Sequence, residues 1–104
     1  MTEEFDKLVR DKTPDVIRED GKEPTVHCVD GKEYADRLVE KLAEERAEYR
    51  DSRDPEELAD LLEVVHAIRK HHGLTDAELQ QIRARKAANR GRFTDGVVLD
   101  RVEE

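Results

Sequence analysis

The feature that most constrains the fold is a pair of amphipathic helical patterns that adjoin in the chain. The first pattern runs from residue 31 to about residue 50, and the second runs from Asp54-Pro55 to His72. Both repeat apolar residues at intervals of three and four, as a helix with one buried face requires. The sequence DSRD, residues 51–54, separates them. A connection this short favours an antiparallel helical hairpin.

Local signals place a short helix before this hairpin. Thr13 suits an N-cap, Pro14 suits the first helical position, and Gly21 can end the helix. Asp30 and Glu33 are spaced like a capping box for the first long helix. The hairpin is therefore predicted to be preceded by one helix of about two turns.

A fourth helix is predicted after the hairpin. Thr75 and Glu78 have the spacing of a capping box, and Leu74 and Leu79 are placed as a hydrophobic staple. The helical pattern ends near Arg90, where Gly91 follows. The last predicted helix therefore covers about fifteen residues.

The segments outside the helices read as extended. Residues 23–31 and residues 97–102 lack helical periodicity, and the second is a candidate to pair with residues 25–29. The chain has 104 residues and no linker long enough to divide it. We therefore expect one all-α domain, residues 1–104, with short extended terminal segments.

Composition narrows the classes of partner. Charged residues make up 44% of the chain and hydrophobic residues 36%, so a lone copy has little apolar area to bury. We therefore expect dimerisation, or a higher homo-oligomer, to complete a helical bundle. The net charge of −8 argues against a nucleic-acid partner. The lone Cys28 and the lack of a long apolar run predict a cytoplasmic protein with no membrane partner.

Several carboxylates occupy positions where core residues are expected. On a helical wheel, Glu45 falls within the apolar arc of the first long helix, and Glu48 lies at its edge. Glu57 sits at the margin of the apolar stripe of the next helix, and Asp60 lies just beyond it. Glu44 points away from the apolar arc, towards solvent.

The hairpin register brings these four acids together. Residues equally far from the loop centre face each other, so Glu48 meets Glu57, and Glu45 meets Asp60. Like charges about 5 Å apart cost roughly 3 kcal/mol per pair at an effective dielectric constant near 20. Protonation, nearby Lys or Arg, or a bound hard cation must compensate. Oxygen ligands on rigid helices suit Mg²⁺, or Mn²⁺, better than Zn²⁺.

Two of these acids also have a structural explanation. Glu57 is in the first turn after Asp54 and can stabilise the start of its helix. Glu45 follows Lys41 by four residues and can form an intrahelical ion pair. Each acid alone is more simply structural, whereas all four in matched register indicate a metal site.

The acidic segments resemble a known signature. EERAE, residues 44–48, followed by ELAD, residues 57–60, resembles the EExxE…ExxD motif of the MazG-like all-α nucleoside triphosphate pyrophosphohydrolases. The chain is also similar to a subgroup described as phosphoribosyl-ATP pyrophosphohydrolase-like. That subgroup begins with KLVRDKxP, here residues 7–14, and ends with K…RGGF…G, here residues 86–96. Arg92 departs from the usual Gly, and the acidic motifs are closer together than is usual.

The resemblance implies hydrolysis of a nucleoside triphosphate between its α- and β-phosphates, which releases a monophosphate and pyrophosphate. Mg²⁺ is the implied cofactor, since it screens the triphosphate charge and activates water. The implied metal ligands are Glu45, Glu48, Glu57 and Asp60. Glu44 and Glu45 are the implied catalytic residues, and Glu44 is the candidate to orient water, including through a neighbouring subunit.

Five cations are candidates to bind the triphosphate. Lys86 and Arg90 lie four residues apart on one face of the last helix, although cations at a helix end are also favourable without a ligand. Lys7, Arg10 and Lys12 belong to a charged N-terminal segment whose alternative is a solvated arm.

Two other functions remain open from the sequence. Phosphoribosyl-ATP hydrolysis in histidine biosynthesis uses the same phosphate chemistry as nucleotide-pool house-cleaning. A non-catalytic helical binding module, stabilised by a metal, also explains clustered acids. Turnover that depends on metal distinguishes the enzymes from the module.

Overall fold

Four helices and no strand make up the computed structural model, which describes all 104 residues. The helices are α1 (Thr13–Glu19), α2 (Gly31–Ser52), α3 (Pro55–His71) and α4 (Asp76–Arg90). The all-α prediction is confirmed. The predicted pairing of residues 97–102 with residues 25–29 is wrong, because an isolated pair of short strands is only marginally stable and no third strand supports it.

The α2–α3 hairpin is the principal packed unit. α2 has 22 residues, which at about 1.5 Å per residue gives a length of roughly 33 Å. It continues to Ser52, two residues beyond the predicted end, so the connection is shorter than predicted. Arg53 takes a left-handed conformation, with φ of 58°, and its amide donates to the Tyr49 carbonyl at 2.8 Å. Asp54 then caps α3 by accepting from the Glu56 amide at 3.0 Å.

The predicted helix starts have different outcomes. The capping box of α4 is confirmed, with Thr75 and Glu78 bonded reciprocally at 3.0 and 3.1 Å. The predicted capping box at Asp30 and Glu33 is wrong, since the Asp30 side chain accepts no capping hydrogen bond. Thr13 is the first helical residue rather than the cap, because its amide donates to the Arg10 carbonyl at 3.0 Å and already closes a turn.

The core of this copy is small. Only four residues are buried. Leu38 and Val64 are apolar, and Glu45 and Arg69 are charged. The radius of gyration is 18.2 Å, whereas a compact chain of this length has about 13 Å. α4 contacts α3 alone, and α1 packs against no other helix. None of the helices combines the length and apolar character needed to cross a lipid bilayer.

Candidate metal centre

Four carboxylates converge near the turn of the hairpin. Each offers an oxygen atom that lies within 4.8 Å of the others, and we call these residues the acidic cluster: Glu45, Glu48, Glu57 and Asp60. Two come from α2 and two from α3, as the register predicted. The longer α2 does not disturb this register, because the added residues continue the helix towards the turn.

Glu45 is the most buried member of the acidic cluster. Its exposed fraction is 6%, and its Oε1 lies 3.1 Å from the Lys41 ammonium. Its Oε2 is buried and has no hydrogen-bond partner. Burial raises the pKa of Glu45, and the neighbouring Glu48 carboxylate raises it further, against the opposing effect of Lys41. A buried oxygen without a partner among like charges fits a hard-cation ligand.

The pKa of Glu57 is raised although the residue lies in the first turn of its helix. A carboxylate in the first turn of a helix is normally stabilised by the amide groups there. Desolvation nevertheless raises the pKa of Glu57, and Glu48, Asp60 and Glu45 each add to the increase. The capping role belongs to Asp54 instead. Glu57 therefore does more than stabilise the start of α3.

Glu44 lies beside the cluster and is not directed freely to solvent, so that part of the prediction is wrong. The reason is the N-terminal segment, which covers it: Lys7 donates to Glu44 Oε1 at 2.8 Å. Lys41 donates to the other oxygen at 3.3 Å. The Lys7 bond, followed by the influence of Lys41, holds the pKa of Glu44 below its usual range despite partial burial. Glu44 is therefore an ionised hydrogen-bond acceptor at neutral pH.

Residues 6–10, here called the N-terminal arm, lie across both helices of the hairpin. Lys7 bonds Glu44 on α2, and Arg10 Nη2 lies 2.7 Å from Oδ1 of Asp60 on α3. At the start of the arm, Arg37 donates to the Asp6 carbonyl at 2.8 Å and to its carboxylate at 2.9 Å. Two of the predicted phosphate-binding cations are therefore in contact with the acidic residues.

The other three predicted cations lie elsewhere. Lys12 precedes α1, is exposed, and makes no ion pair. Lys86 and Arg90 line a shallow concavity on α4 together with Arg85, and neither pairs with the acidic cluster. The structure of one copy therefore does not bring α4 cations to the acids.

Sequence reasoning missed the positions of two cations on α2. Lys41 lies between Glu44 and Glu45 and contacts both, rather than Glu45 alone. Arg37, one turn earlier on the same face, anchors the arm. The spacing of Arg37, Lys41 and Glu45 at intervals of four would have identified a shared helical face. The arm that meets this face carries no such periodic signal.

Comparison of the chain with protein-family models, with curated proteins and with solved structures gave no match. The assignment of the site therefore depends on the geometry and chemistry of its own residues.

Proposed function

We propose that the protein is a Mg²⁺-dependent nucleoside triphosphate pyrophosphohydrolase, which converts a nucleoside triphosphate and water into a monophosphate and pyrophosphate. The observation that carries this proposal is the acidic cluster, whose buried member Glu45 has an oxygen without a partner. The order of the acidic motifs, EERAE before ELAD, supports the same reaction through the resemblance described above. Removal of unwanted nucleotides from the cellular pool is the corresponding role.

The acidic cluster is the proposed cation site. Its four members supply only oxygen ligands from two packed helices, which favours Mg²⁺ and allows Mn²⁺. A divalent cation, when bound, offsets phosphate charge and lowers the pKa of water. Desolvation, together with repulsion between the carboxylates, raises the pKa values of Glu45 and Glu57, and a bound ion would offset both effects.

Glu44 and Glu45 have different proposed roles. The lowered pKa of Glu44 keeps it ionised, which suits an acceptor that orients the attacking water. Glu45 would be a ligand of the cation, whose positive charge would offset that of the buried carboxylate. Lys41 contacts both side chains and offsets part of their charge.

The proposed phosphate-binding cations fall into two groups. Lys7 and Arg10 already contact the acidic residues and can reach a triphosphate held there. Lys12, Lys86 and Arg90 belong to the proposal only where a second copy or a bound substrate brings them closer.

A homodimer is part of the proposal. It is supported by the small core and by exposed apolar side chains on the hairpin: Val39, Leu58, Leu62 and Val65. A second copy covering this surface buries apolar area that one copy leaves in water. Light scattering at micromolar concentration should give at least twice the 12.0 kDa chain mass. A monodisperse monomer contradicts dimerisation.

Product analysis tests the reaction. Canonical and modified nucleoside triphosphates, together with phosphoribosyl-ATP, are incubated with the protein in Mg²⁺ or in EDTA, and products are separated by ion exchange. We expect a monophosphate and pyrophosphate only in Mg²⁺. Release of diphosphate and orthophosphate contradicts the cleavage position. Turnover restricted to phosphoribosyl-ATP favours histidine biosynthesis, and no turnover at all favours the binding module.

A further inference from the structure

The N-terminal arm places a positive charge on one member of the acidic cluster. The Arg10 guanidinium, at 2.7 Å from Asp60 Oδ1, is a direct partner of that carboxylate. Lys41 is the other cation at the cluster, through Glu45. Four carboxylates within 4.8 Å of one another are thus offset by one residue from the arm and one from α2.

These two cations differ in how readily they can leave. The Lys41 side chain is only 17% exposed and contacts two carboxylates. Its release would leave the buried Glu45 without a cationic partner, whereas Glu44 would keep Lys7. Arg10 is 57% exposed and contacts one carboxylate. An exposed ion pair contributes little to stability and breaks readily. Arg10 is therefore the exchangeable cation of the cluster.

The backbone of the arm is held at both ends. Arg37 clamps Asp6, whose φ of 44° lies in the left-handed region, by two hydrogen bonds. At the other end, the Thr13 amide donates to the Arg10 carbonyl at 3.0 Å. Leu8 and Val9 between them are half-buried. The Arg10 side chain can leave Asp60 while its backbone stays beside the cluster.

We propose that Arg10 is an exchangeable competitor of the divalent cation: it neutralises Asp60 in the metal-free protein, and metal binding releases it to bind phosphate oxygens of the nucleotide. This inference rests on the proposed function, because it concerns the same cluster. Asp60 cannot give its full charge to an ion while it accepts from Arg10. The freed guanidinium presents a planar pair of donors that matches a phosphate group. Metal and nucleotide are then bound in a coupled sequence, metal first.

Competition predicts opposite effects of one substitution on two ligands. Without nucleotide, Arg10→Ala removes the competitor, so we expect Mn²⁺ to bind about fivefold more tightly. With Mn²⁺ saturating, the same variant lacks the phosphate contact, so an α,β-methylene triphosphate analogue should bind about tenfold more weakly. A residue with a merely structural role in holding Asp60 would leave Mn²⁺ affinity unchanged or lower it.

Two variants serve as controls. Arg10→Lys keeps the charge and should bind Mn²⁺ within about twofold of the unmodified protein. Arg18→Ala removes an equal charge from an exposed pair with Asp15 in α1, and should change Mn²⁺ affinity by less than about twofold. Free Mn²⁺ is measured by electron paramagnetic resonance, and each variant is first shown to keep its helix content by circular dichroism.

The outcomes separate this inference from the proposed function. Tighter Mn²⁺ binding together with weaker analogue binding in Arg10→Ala supports it. Mn²⁺ binding that is equal in the unmodified protein and in Arg10→Ala overturns the competition and leaves the metal site intact. Tighter Mn²⁺ binding with unchanged analogue binding overturns the transfer to phosphate. Binding of Mn²⁺ by neither protein overturns both the inference and the metal site.

Discussion

The two ends of the α2–α3 hairpin each bury one charged side chain, and these two side chains differ in their hydrogen-bond partners and in the charges beside them. At the end away from the turn, Arg69 donates to the Leu74 carbonyl and to the ring of His66, whose Nε2 lies 3.0 Å away. Its Nε alone has no partner. At the turn end, Glu45 has Lys41 on one oxygen, nothing on the other, and three carboxylates beside it.

This difference separates a structural charge from a binding charge. Arg69 is surrounded by acceptors from its own chain and fixes the passage from α3 to α4. Glu45 has three carboxylates beside it and only Lys41 to offset their repulsion, so its burial lowers stability unless a further cation joins the site. A chain that needed only a stable hairpin would gain from apolar side chains at these positions. The acidic end therefore has the properties of a ligand site.

The largest expected effect comes from removing the buried acid. Glu45→Gln should lower turnover by more than about a hundredfold, since even partners of metal ligands contribute 10–100-fold. Its helix content should stay unchanged, because the substitution removes a repelled charge. Glu63→Gln, an exposed acid on α3, is the matched control and should keep full activity. Steady-state kinetics checks both, and an active Glu45→Gln variant contradicts the ligand assignment.

Removing the buried charge at the other end of the hairpin, Arg69, should lower stability and leave metal binding unchanged. Arg69→Ala leaves the Leu74 carbonyl without its charged donor and should lower the free energy of unfolding by about 2 kcal/mol. The affinity for Mn²⁺ should stay within about twofold, because Arg69 does not contact the acidic cluster. Urea unfolding and Mn²⁺ titration measure the two quantities. A large loss of metal affinity would mean that the two ends are coupled.

Glu57 offers a pH-dependent test of the cost of holding an ionised carboxylate in the acidic cluster. Its pKa is raised in the folded protein, so the folded state binds more protons than the unfolded state, and stability falls as pH rises above about 4. Glu57→Gln removes this loss and should raise the melting temperature of the metal-free protein at neutral pH. The advantage should disappear as pH approaches about 4. An advantage that is equal at both pH values contradicts the ionisation of Glu57 as its cause.

The smallest expected effect concerns the pair of Lys7 and Glu44. The lowered pKa of Glu44 contributes stability above its unfolded pKa, and that contribution is lost as pH falls through the folded value. Lys7→Gln should raise the pKa of Glu44 and cost less than about 1 kcal/mol at neutral pH, since the pair is partly exposed. A carboxyl titration followed by nuclear magnetic resonance measures the shift. An unchanged pKa would show that Lys41 alone sets it.

The hairpin and the convergence of its acids follow from sequence because helical periodicity and a short turn determine which residues face each other. Glu48 and Glu57 could be paired by counting from the loop, and the capping box at Thr75 is a local signal. The contact of the N-terminal arm with Glu44 could not be predicted in this way. It depends on long-range contacts of an arm without periodicity, anchored by Arg37 at 31 residues' separation.

The helix boundaries show a different limit. Arg53 ends α2 in a left-handed conformation that usually belongs to glycine, so residue preference gave no reason to continue the helix to Ser52. Asp30 has the spacing of a capping box without its hydrogen bond. Spacing identifies which residues can meet, and the backbone geometry of each end decides whether they do.

Thermal unfolding with and without Mg²⁺ tests the central claim, that the acidic end of the hairpin is a cation site, most directly. The unmodified protein and Glu45→Gln are each melted in EDTA and in Mg²⁺ at about 100 times the dissociation constant of the unmodified protein, where a ligand contributes about 2.7 kcal/mol. For a domain of this size we expect the melting temperature of the unmodified protein to rise by about 10 °C. That of Glu45→Gln should rise by less than about 2 °C. Equal shifts in the two proteins, or no shift in either, would contradict the account.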